Sequence, residues 1–380
     1  MILPSDLHQL LGGLSPATFL KKYWQKKPLL IRNAMPGLAP PVTRTELFEL
    51  AGRDEVESRL VARQGRDWLM ERGPFARRQL KRAPGEKWSL LVQGVNLHAP
   101  AADALLGRFD FVPRARLDDL MISWACDGGG VGPHFDSYDV FLLQAQGRRR
   151  WQVSMQRDRS LVPGAPLKIL KNFKPEDEFV LEAGDMLYLP PGAAHDGVAI
   201  GDCMTCSIGF RAPAAAELAR GFLEYLADRT ERPGLYADPG LSPAQDTALI
   251  DDGMVARAAK LAWPAKPTRA AFEEFLGLHL TEPKANVFFD TPEEPLSRAA
   301  FVRAAARGGL KLDLQTQLLH RGKHVYINGE AQAMPKVPVD AELLRRLARA
   351  RHLPPLRLPA AVAEIFYAWY EYGWLHTGES

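Results

Sequence analysis

The sequence predicts an α+β protein in which a jelly roll is followed by a helical stretch and then by a small helix–hairpin–helix unit. Three observations carry this expectation. From about Leu117 to Arg211 short apolar strands alternate with Gly and Pro turns, the pattern of a jelly roll or barrel. After Arg211 and Pro213 the period changes, and Leu218, Phe222 and Leu226 fall four apart on one helical face, as do Phe272 and Leu276 with Phe275 beside them. Beyond Pro292 and Pro295 come a helix at Ser297 to Arg307, a hairpin from Leu310 to Ile327 turning at Arg321 and Gly322, and helices near Asp340 to Ala350 and Ala360 to Tyr372. By fold analogy that order suggests a winged-helix-like module. The expected division is 1–211, with a strand core at about 117–211, then a helical region at 212–285 and the winged-helix-like unit at 286–380.

Ahead of the strands, from Leu3 to about Pro100, short helices and strands mix, beginning with a helix at Pro16 to Trp24 and an apolar strand at Pro28 to Arg32. The basic residues Arg77, Arg78, Lys81 and Arg82 read as a solvated face. At 380 residues and 46% hydrophobic the chain can bury a large core. No segment reaches the ~18 apolar residues of a membrane span, and no basic stretch precedes an apolar run at the N-terminus. The expected location is therefore the cytoplasm, without a membrane partner. Lys and Arg total 48 against 45 Asp and Glu, a net charge of +3 too weak to argue for direct nucleic-acid binding. Three cysteines, Cys126, Cys203 and Cys206, cannot build a disulfide framework. Cys203 and Cys206 lie on a strand, where residues three apart face opposite ways, so they read as two small buried side chains and not as a redox pair.

Chemistry concentrates in GGGVGPHFDSYDVFLL. His134 and Asp136 are two apart at the start of an apolar strand, so their side chains leave one face and can share a metal. His195, after the strand Met186 to Leu189 and the turn Pro190 to Gly192, is the candidate third ligand, because jelly-roll strands distant in sequence become neighbours. Two imidazoles and a carboxylate on one side of a metal match non-haem Fe(II) oxygenase sites. An H-x-D triplet alone is weak; the order and spacing within a β-rich stretch strengthen it. His98, His279, His320 and His324 lack such a setting and read as structural or surface residues.

Val140 to Val153 reads as a hairpin turning at Gln146 and Gly147, with Arg149 on the face of Trp151 and Val153. A guanidinium on an inward apolar face needs an anion. Either an acid from another strand meets it, or it clamps a carboxylate from outside, such as the distal one of 2-oxoglutarate, by two parallel hydrogen bonds. Ser123, in the strand Leu120 to Cys126, is a weaker candidate for the same carboxylate. Gly128 to Gly130 and Gly132 would allow a peptide backbone close to the metal, and Asp127, Tyr138 and Asp139 are candidate contacts for a cationic side chain.

With these residues located, the chain resembles the bacterial JmjC-domain ribosomal oxygenases, on the side of those that hydroxylate an arginine of the large-subunit ribosomal protein numbered sixteen. Five segments carry the resemblance in the family's order: FLKKYWQKKPLLIR at Phe19 to Arg32, GGGVGPHFDSYDVF at Gly128 to Phe141, GRRRW at Gly147 to Trp151, GDMLYLPPGAAH at Gly184 to His195 and SIGFRAP at Ser207 to Pro213. It implies a cupin-like double-stranded β-helix, with His134, Asp136 and His195 holding Fe(II) and Arg149, assisted by Ser123, holding 2-oxoglutarate. Many other JmjC enzymes use Lys at the Arg149 place. Dioxygen as second cosubstrate, a ribosomal large-subunit protein as partner, a homodimer through the middle helices and a winged-helix-like domain are likewise implied. Trp124 to Asp127 depart from the family's pattern, on the substrate side of the site. Histidine hydroxylation and N-methyl demethylation use the same oxidant and are the alternative activities; a non-catalytic cupin-like binding module is the alternative from another class.

Overall fold

The computed structural model describes residues 4–65, 67–80, 86–229, 234–239, 241, 250–262 and 266–378. The N-terminal part contains α1 (Pro4–Leu10), α2 (Pro16–Lys22), β1 (Leu29–Ile31), α3 (Arg44–Leu50), β2 (Ser58–Gln64), β3 (Asp67–Arg72), β4 (Lys87–Val92) and α4 (Pro100–Leu106). Local chemistry starts these helices. Ser15 accepts from the Thr18 amide ahead of Pro16, and Thr43 and Glu46 form a reciprocal capping box on α3.

Then come β5 (Leu117–Ala125), β6 (His134–Phe135), β7 (Val140–Ser154), β8 (Asp177–Leu181), β9 (Met186–Leu189) and β10 (Ala194–Phe210). All ten strands form one curled sheet in the order β1-β9-β7-β10-β5-β4-β2-β3, with β6 on β10 and β8 on β7. The helices of the N-terminal part cover the outside of the curl. Phe19 of α2 is fully buried against the rings of Phe141 and Tyr188 from the sheet, at 5.5 and 5.0 Å, and burying such a side chain contributes about 1.5–3 kcal/mol. Period-2 alternation does the rest. Leu120, Ile122 and Trp124 of β5 point into this outer core, which leaves Asp119, Met121 and Ser123 to line a cavity inside the curl.

The expected hairpin at Gln146 and Gly147 is not a turn. β7 runs straight through as one strand of 15 residues, paired along its length with β10. The pairing register slips between Ile200 and Met204, where the β10 segment Gly201 to Cys203 bulges against Gly147. Gly147 has φ +69°, and a Cβ there would lie 2.3 Å from the Asp202 carbonyl oxygen. The irregularity flips the alternation: Phe141, Leu143 and Ala145 face the outer core, while Arg149 and Trp151, also odd-numbered, line the cavity.

The middle region holds α5 (Ala215–Asp228), α6 (Asp252–Ala262) and α7 (Arg269–Thr281). The expectation that this whole section is helical is corrected, because residues 234–239 are not helical; residues 230–233 and 242–249 lie outside the described residues. The expected helical faces meet each other, with Phe222 against Phe272 and Phe275 at 5.0 and 5.3 Å. The C-terminal part has α8 (Arg298–Gly308), β11 (Leu310–Leu312), β12 (Leu318–Arg321), β13 (His324–Ile327), β14 (Glu330–Ala333), α9 (Pro338–Ala350), β15 (His352–Leu353), α10 (Ala360–Glu371) and β16 (Leu375–Thr377). Its hairpin is shorter than expected, since β11 leaves it to pair with β15 and β16, and β14 adds a third strand to β12 and β13. Phe301, Leu344, Leu347 and Phe366 centre a separate core. Arg351, in a left-handed conformation after α9, donates to the carbonyls of Asp313, Leu314 and Thr316 and reaches Asp103 of α4 at 3.4 Å. Among the described residues no helix is long and apolar enough to cross a membrane. Cys203 and Cys206 lie in different clusters, as strand parity requires, and all three cysteines are free. Arg77 pairs with Glu49 on an exposed face, and Lys81 and Arg82 lie outside the described residues.

Candidate active site

β10 pairs with β6 so that His195 stands opposite His134, and Asp136 follows directly after β6. Ligand atoms of His134, Asp136 and His195 all lie within 4.8 Å of one another. The two imidazole rings are 4.2 Å apart, and His195 Nε2 is 3.7 Å from an Asp136 carboxylate oxygen. Each ring is oriented by its own backbone: His134 Nδ1 meets the Gly132 carbonyl at 2.8 Å and His195 Nδ1 the Ala193 carbonyl at 2.9 Å. A carbonyl only accepts, so both Nδ1 atoms carry the proton and both Nε2 lone pairs point at the shared space. Burial, reinforced by neighbouring His134, pushes the His195 pKa below its ordinary value, which keeps the ring neutral and able to ligate. Two neutral imidazoles and one carboxylate form a donor set that fits Fe(II) and leaves positions open for other ligands.

The triad lines a cavity of about 540 Å³ inside the sheet. The same cavity is lined by Arg149, 3% exposed, which donates to Ser123 Oγ at 3.1 Å, Thr205 Oγ1 at 3.4 Å and the Gly197 carbonyl at 3.2 Å. Among the described residues no carboxylate comes within ion-pair distance of it, and its Nε has no partner. Burial accordingly lowers its pKa. The acid of a neighbouring strand that acts on this guanidinium is Asp196 of β10, and it does so beyond ion-pair distance. Trp151 packs on the His195 ring at 5.8 Å and needs Gly197 opposite, where a Cβ would lie 2.5 Å from the indole. Sequence reasoning missed Thr205 and Gly197. Their signal lies in the register, which sets Thr205 opposite Ser123 and Gly197 opposite Trp151, and a pairing register is not visible along one strand.

The expected substrate-side residues fare differently. Tyr138 does line the cavity, its phenol held protonated by burial and by Asp136. Asp139 does not. It is fully buried on the outer side, where it accepts from Tyr188 Oη at 2.6 Å and Gln25 Nε2 at 3.0 Å with Arg116 at 3.5 Å, so it fastens the N-terminal part to the sheet. Asp127 is also outside the cavity, accepting from the Gly201 amide at 2.7 Å. The glycine loop is packed against the protein's own backbone: a Cβ on Gly129 would lie 2.3 Å from the Trp88 carbonyl oxygen and one on Gly130 2.6 Å from that of Gly197. Besides Asp136, the carboxylates that line the cavity are Glu57, Asp118 and Asp119, and the cations besides Arg149 are Arg59, Arg72, Lys168 and Lys284. Asp118 and Asp119 lie just ahead of the strand expected at Leu120 to Cys126, and nothing in their spacing marks them as lining one cavity with His134.

The JmjC domain family matches residues 104–218, and the ROXA-like winged helix matches residues 256–376. The chain is 34% identical over 333 residues to the ribosomal protein uL16 3-hydroxylase of Escherichia coli, covering 87% of this chain and 88% of that protein. The chain belongs to the JmjC ribosomal oxygenases. A probable ribosomal oxygenase of Haemophilus influenzae is 40% identical over 55% of this chain and 52% of its own length. The crystal structure of the ribosomal oxygenase YcfD from Escherichia coli, in complex with cobalt and 2-oxoglutarate, superposes with a TM-score of 0.80 at 32% identity, over 96% of this chain and 98% of that one. A second structure of Escherichia coli YcfD gives 0.83 at 31% identity over the same shares. The cupin-like fold and winged-helix unit expected of a ribosomal oxygenase are therefore present here.

Proposed function

We propose that this chain is an Fe(II)- and 2-oxoglutarate-dependent dioxygenase that hydroxylates a side-chain carbon of an arginine in a ribosomal large-subunit protein. One observation carries it: a buried guanidinium with no carboxylate at ion-pair distance among the described residues, Arg149, stands in the same cavity as the convergent His134, Asp136 and His195. A buried charge left unpaired costs several kcal/mol, so the arrangement calls for an anionic ligand. His134, Asp136 and His195 would hold the metal through two Nε2 atoms and a carboxylate. Arg149, seated by Ser123 and Thr205, would take the distal carboxylate of 2-oxoglutarate. Bound Fe(II) lets dioxygen put one oxygen atom into a substrate C–H bond and the other into succinate, with release of carbon dioxide. Val140, Leu142 and Trp151 exclude water around the cosubstrate. Asp118 and Asp119 replace Asp127 and Asp139 as the acids for a guanidinium, and the uL16 hydroxylase relative supports the ribosomal substrate.

The test compares ribosomal proteins by intact mass from cells with and without this gene, followed by fragmentation. A gain of one oxygen on an arginine is expected. An oxygen on a histidine, or loss of a methyl group, would replace arginine hydroxylation by one of the alternative activities, and no succinate formation with any peptide tried would leave only a non-catalytic binding module.

Our reading divides the chain at 1–211, 212–285 and 286–380 into catalytic, dimerisation and winged-helix-like domains, and places the enzyme as a homodimer in the cytoplasm. β10 ends at Phe210 and α8 begins at Arg298, which supports the division, although the winged-helix match begins earlier, at residue 256. For the dimer, α6 buries none of its residues while exposing Met254, Val255 and Leu261, and Leu223 of α5 is 64% exposed. Light scattering at micromolar concentration is expected to give about twice the 42.2 kDa chain mass; a single chain mass would count against the dimer.

A further inference from the structure

The acidic side of the cavity already holds a cation. Lys284 lies in the segment after α7, and its Nζ is 3.1 Å from an Asp118 carboxylate oxygen. It also lines the cavity with Asp118 and Asp119, and it is the cation acting most strongly on Asp119. Asp119 is the deeper of the two, its pKa raised by burial although the Gly94 amide donates to it at 2.9 Å. Asp118 has a second neighbour, Arg211 at 3.6 Å, but that guanidinium is committed to the Leu280 carbonyl at 2.7 Å and does not line the cavity.

The backbone that presents Lys284 is pinned on both sides. Arg211 holds the Leu280 carbonyl, the Gly329 amide donates to Thr281 Oγ1 at 3.1 Å, and Asn286 Nδ2 donates to the Glu55 carbonyl at 2.8 Å. What remains free is the side chain. Lys284 and Asp118 are 46% and 39% exposed, and a pair in that setting is held by only about 0.2–1 kcal/mol. A guanidinium presents a fork of five donors against the single point charge of an ammonium, so it can engage both carboxylates where lysine engages one.

Resting on the arginine reading above, we infer that Lys284 is a resident cation seated on Asp118, which the incoming guanidinium of the substrate displaces. Lys284 thereby sets how strongly the site discriminates for a second, better cation, and it brings the segment beyond α7 into the specificity of a cavity built from the β-sheet.

The test is calorimetric binding of the peptide acetyl-Ala-Gly-Arg-Gly-Ala-amide to the full chain loaded with cobalt(II) and 2-oxoglutarate, in the native protein, in Lys284→Met and in both backgrounds with Asp118→Asn. Lys284→Met is expected to bind the peptide about 1.5- to 5-fold more tightly, the factor equivalent to losing a competing exposed ion pair. Affinity for 2-oxoglutarate should not change, and the advantage should vanish in the Asp118→Asn background. Weaker or equal binding in Lys284→Met would overturn the inference while leaving the arginine reading intact. Absence of peptide binding in both proteins, with the ribosomal substrate still gaining oxygen on another residue type, would overturn both.

Discussion

Replacing His134 or Asp136 by alanine is expected to bring succinate formation down to background while leaving the fold in place. The two side chains are only partly buried and belong to none of the hydrophobic clusters, so their loss removes little packing. His195 differs, being 2% exposed and packed on Trp151, which makes His195→Ala a poorer test because it mixes ligation with stability. A mononuclear site of three protein ligands has none to spare, and weakening even a hydrogen bond behind a ligand typically costs 10–100-fold in affinity or activity. The measurement is succinate production with saturating Fe(II), beside the thermal midpoint of the metal-free protein. A midpoint within about 1 kcal/mol of native stability, together with full activity in either variant, would remove that residue from the metal set.

The second large effect is expected at Arg149. A charged hydrogen-bonded contact contributes about 1.5–3 kcal/mol, so Arg149→Ala should raise the 2-oxoglutarate requirement roughly 10- to 150-fold. Stability separates a ligand clamp from a structural ion pair. In the protein without cosubstrate, Arg149 is a buried charge whose hydrogen-bond partners among the described residues are all neutral, so exchanging it for the unbranched, apolar Met should leave the thermal midpoint unchanged or raise it. If Arg149 instead held the fold together, the same exchange would lower stability by about 3–5 kcal/mol. The native protein should gain stability with added 2-oxoglutarate in proportion to the logarithm of its concentration, and the Met variant should lose that gain. Lysine, which keeps the charge but not the fork, should restore the gain in part. An unchanged cosubstrate requirement in Arg149→Ala would show that the guanidinium serves the protein alone.

How far the site was legible follows from how far each signal extends along the chain. His134 and Asp136 are two residues apart, and a strand's side-chain period is the same length, so their convergence is a local fact. Arg149 was readable for the same reason: three residues, Arg149, Trp151 and Val153, are enough to show a charge on an apolar face. Arg149 shares a face with Trp151 although no hairpin forms, because the strand begins its new alternation after Gly147 whether the chain turns there or merely bulges.

The substrate side fails for the converse reason. Asp127 and Asp139 flank the metal loop in sequence, yet one caps the Gly201 amide and the other anchors Tyr188, because direction and not proximity decides what a side chain meets. Asp139 also had a local warning, since a carboxylate just before an apolar strand is as well placed to bind an outer loop as to face a metal.

By itself, then, the sequence determined that His134 and Asp136 share a face, that Arg149 stands on an apolar one, and the succession of jelly roll, helices and winged helix, all of which rest on periodicities and motifs spanning a few residues. The tertiary structure decided everything that depends on which strand lies beside which. It alone sets Thr205 against Ser123 and brings Lys284, from beyond α7, to Asp118, 166 positions earlier in the chain. The physical reason is that a side-chain period is fixed by the covalent backbone, whereas register and docking are fixed by the burial of whole faces, a free energy shared among many residues and written in no single segment.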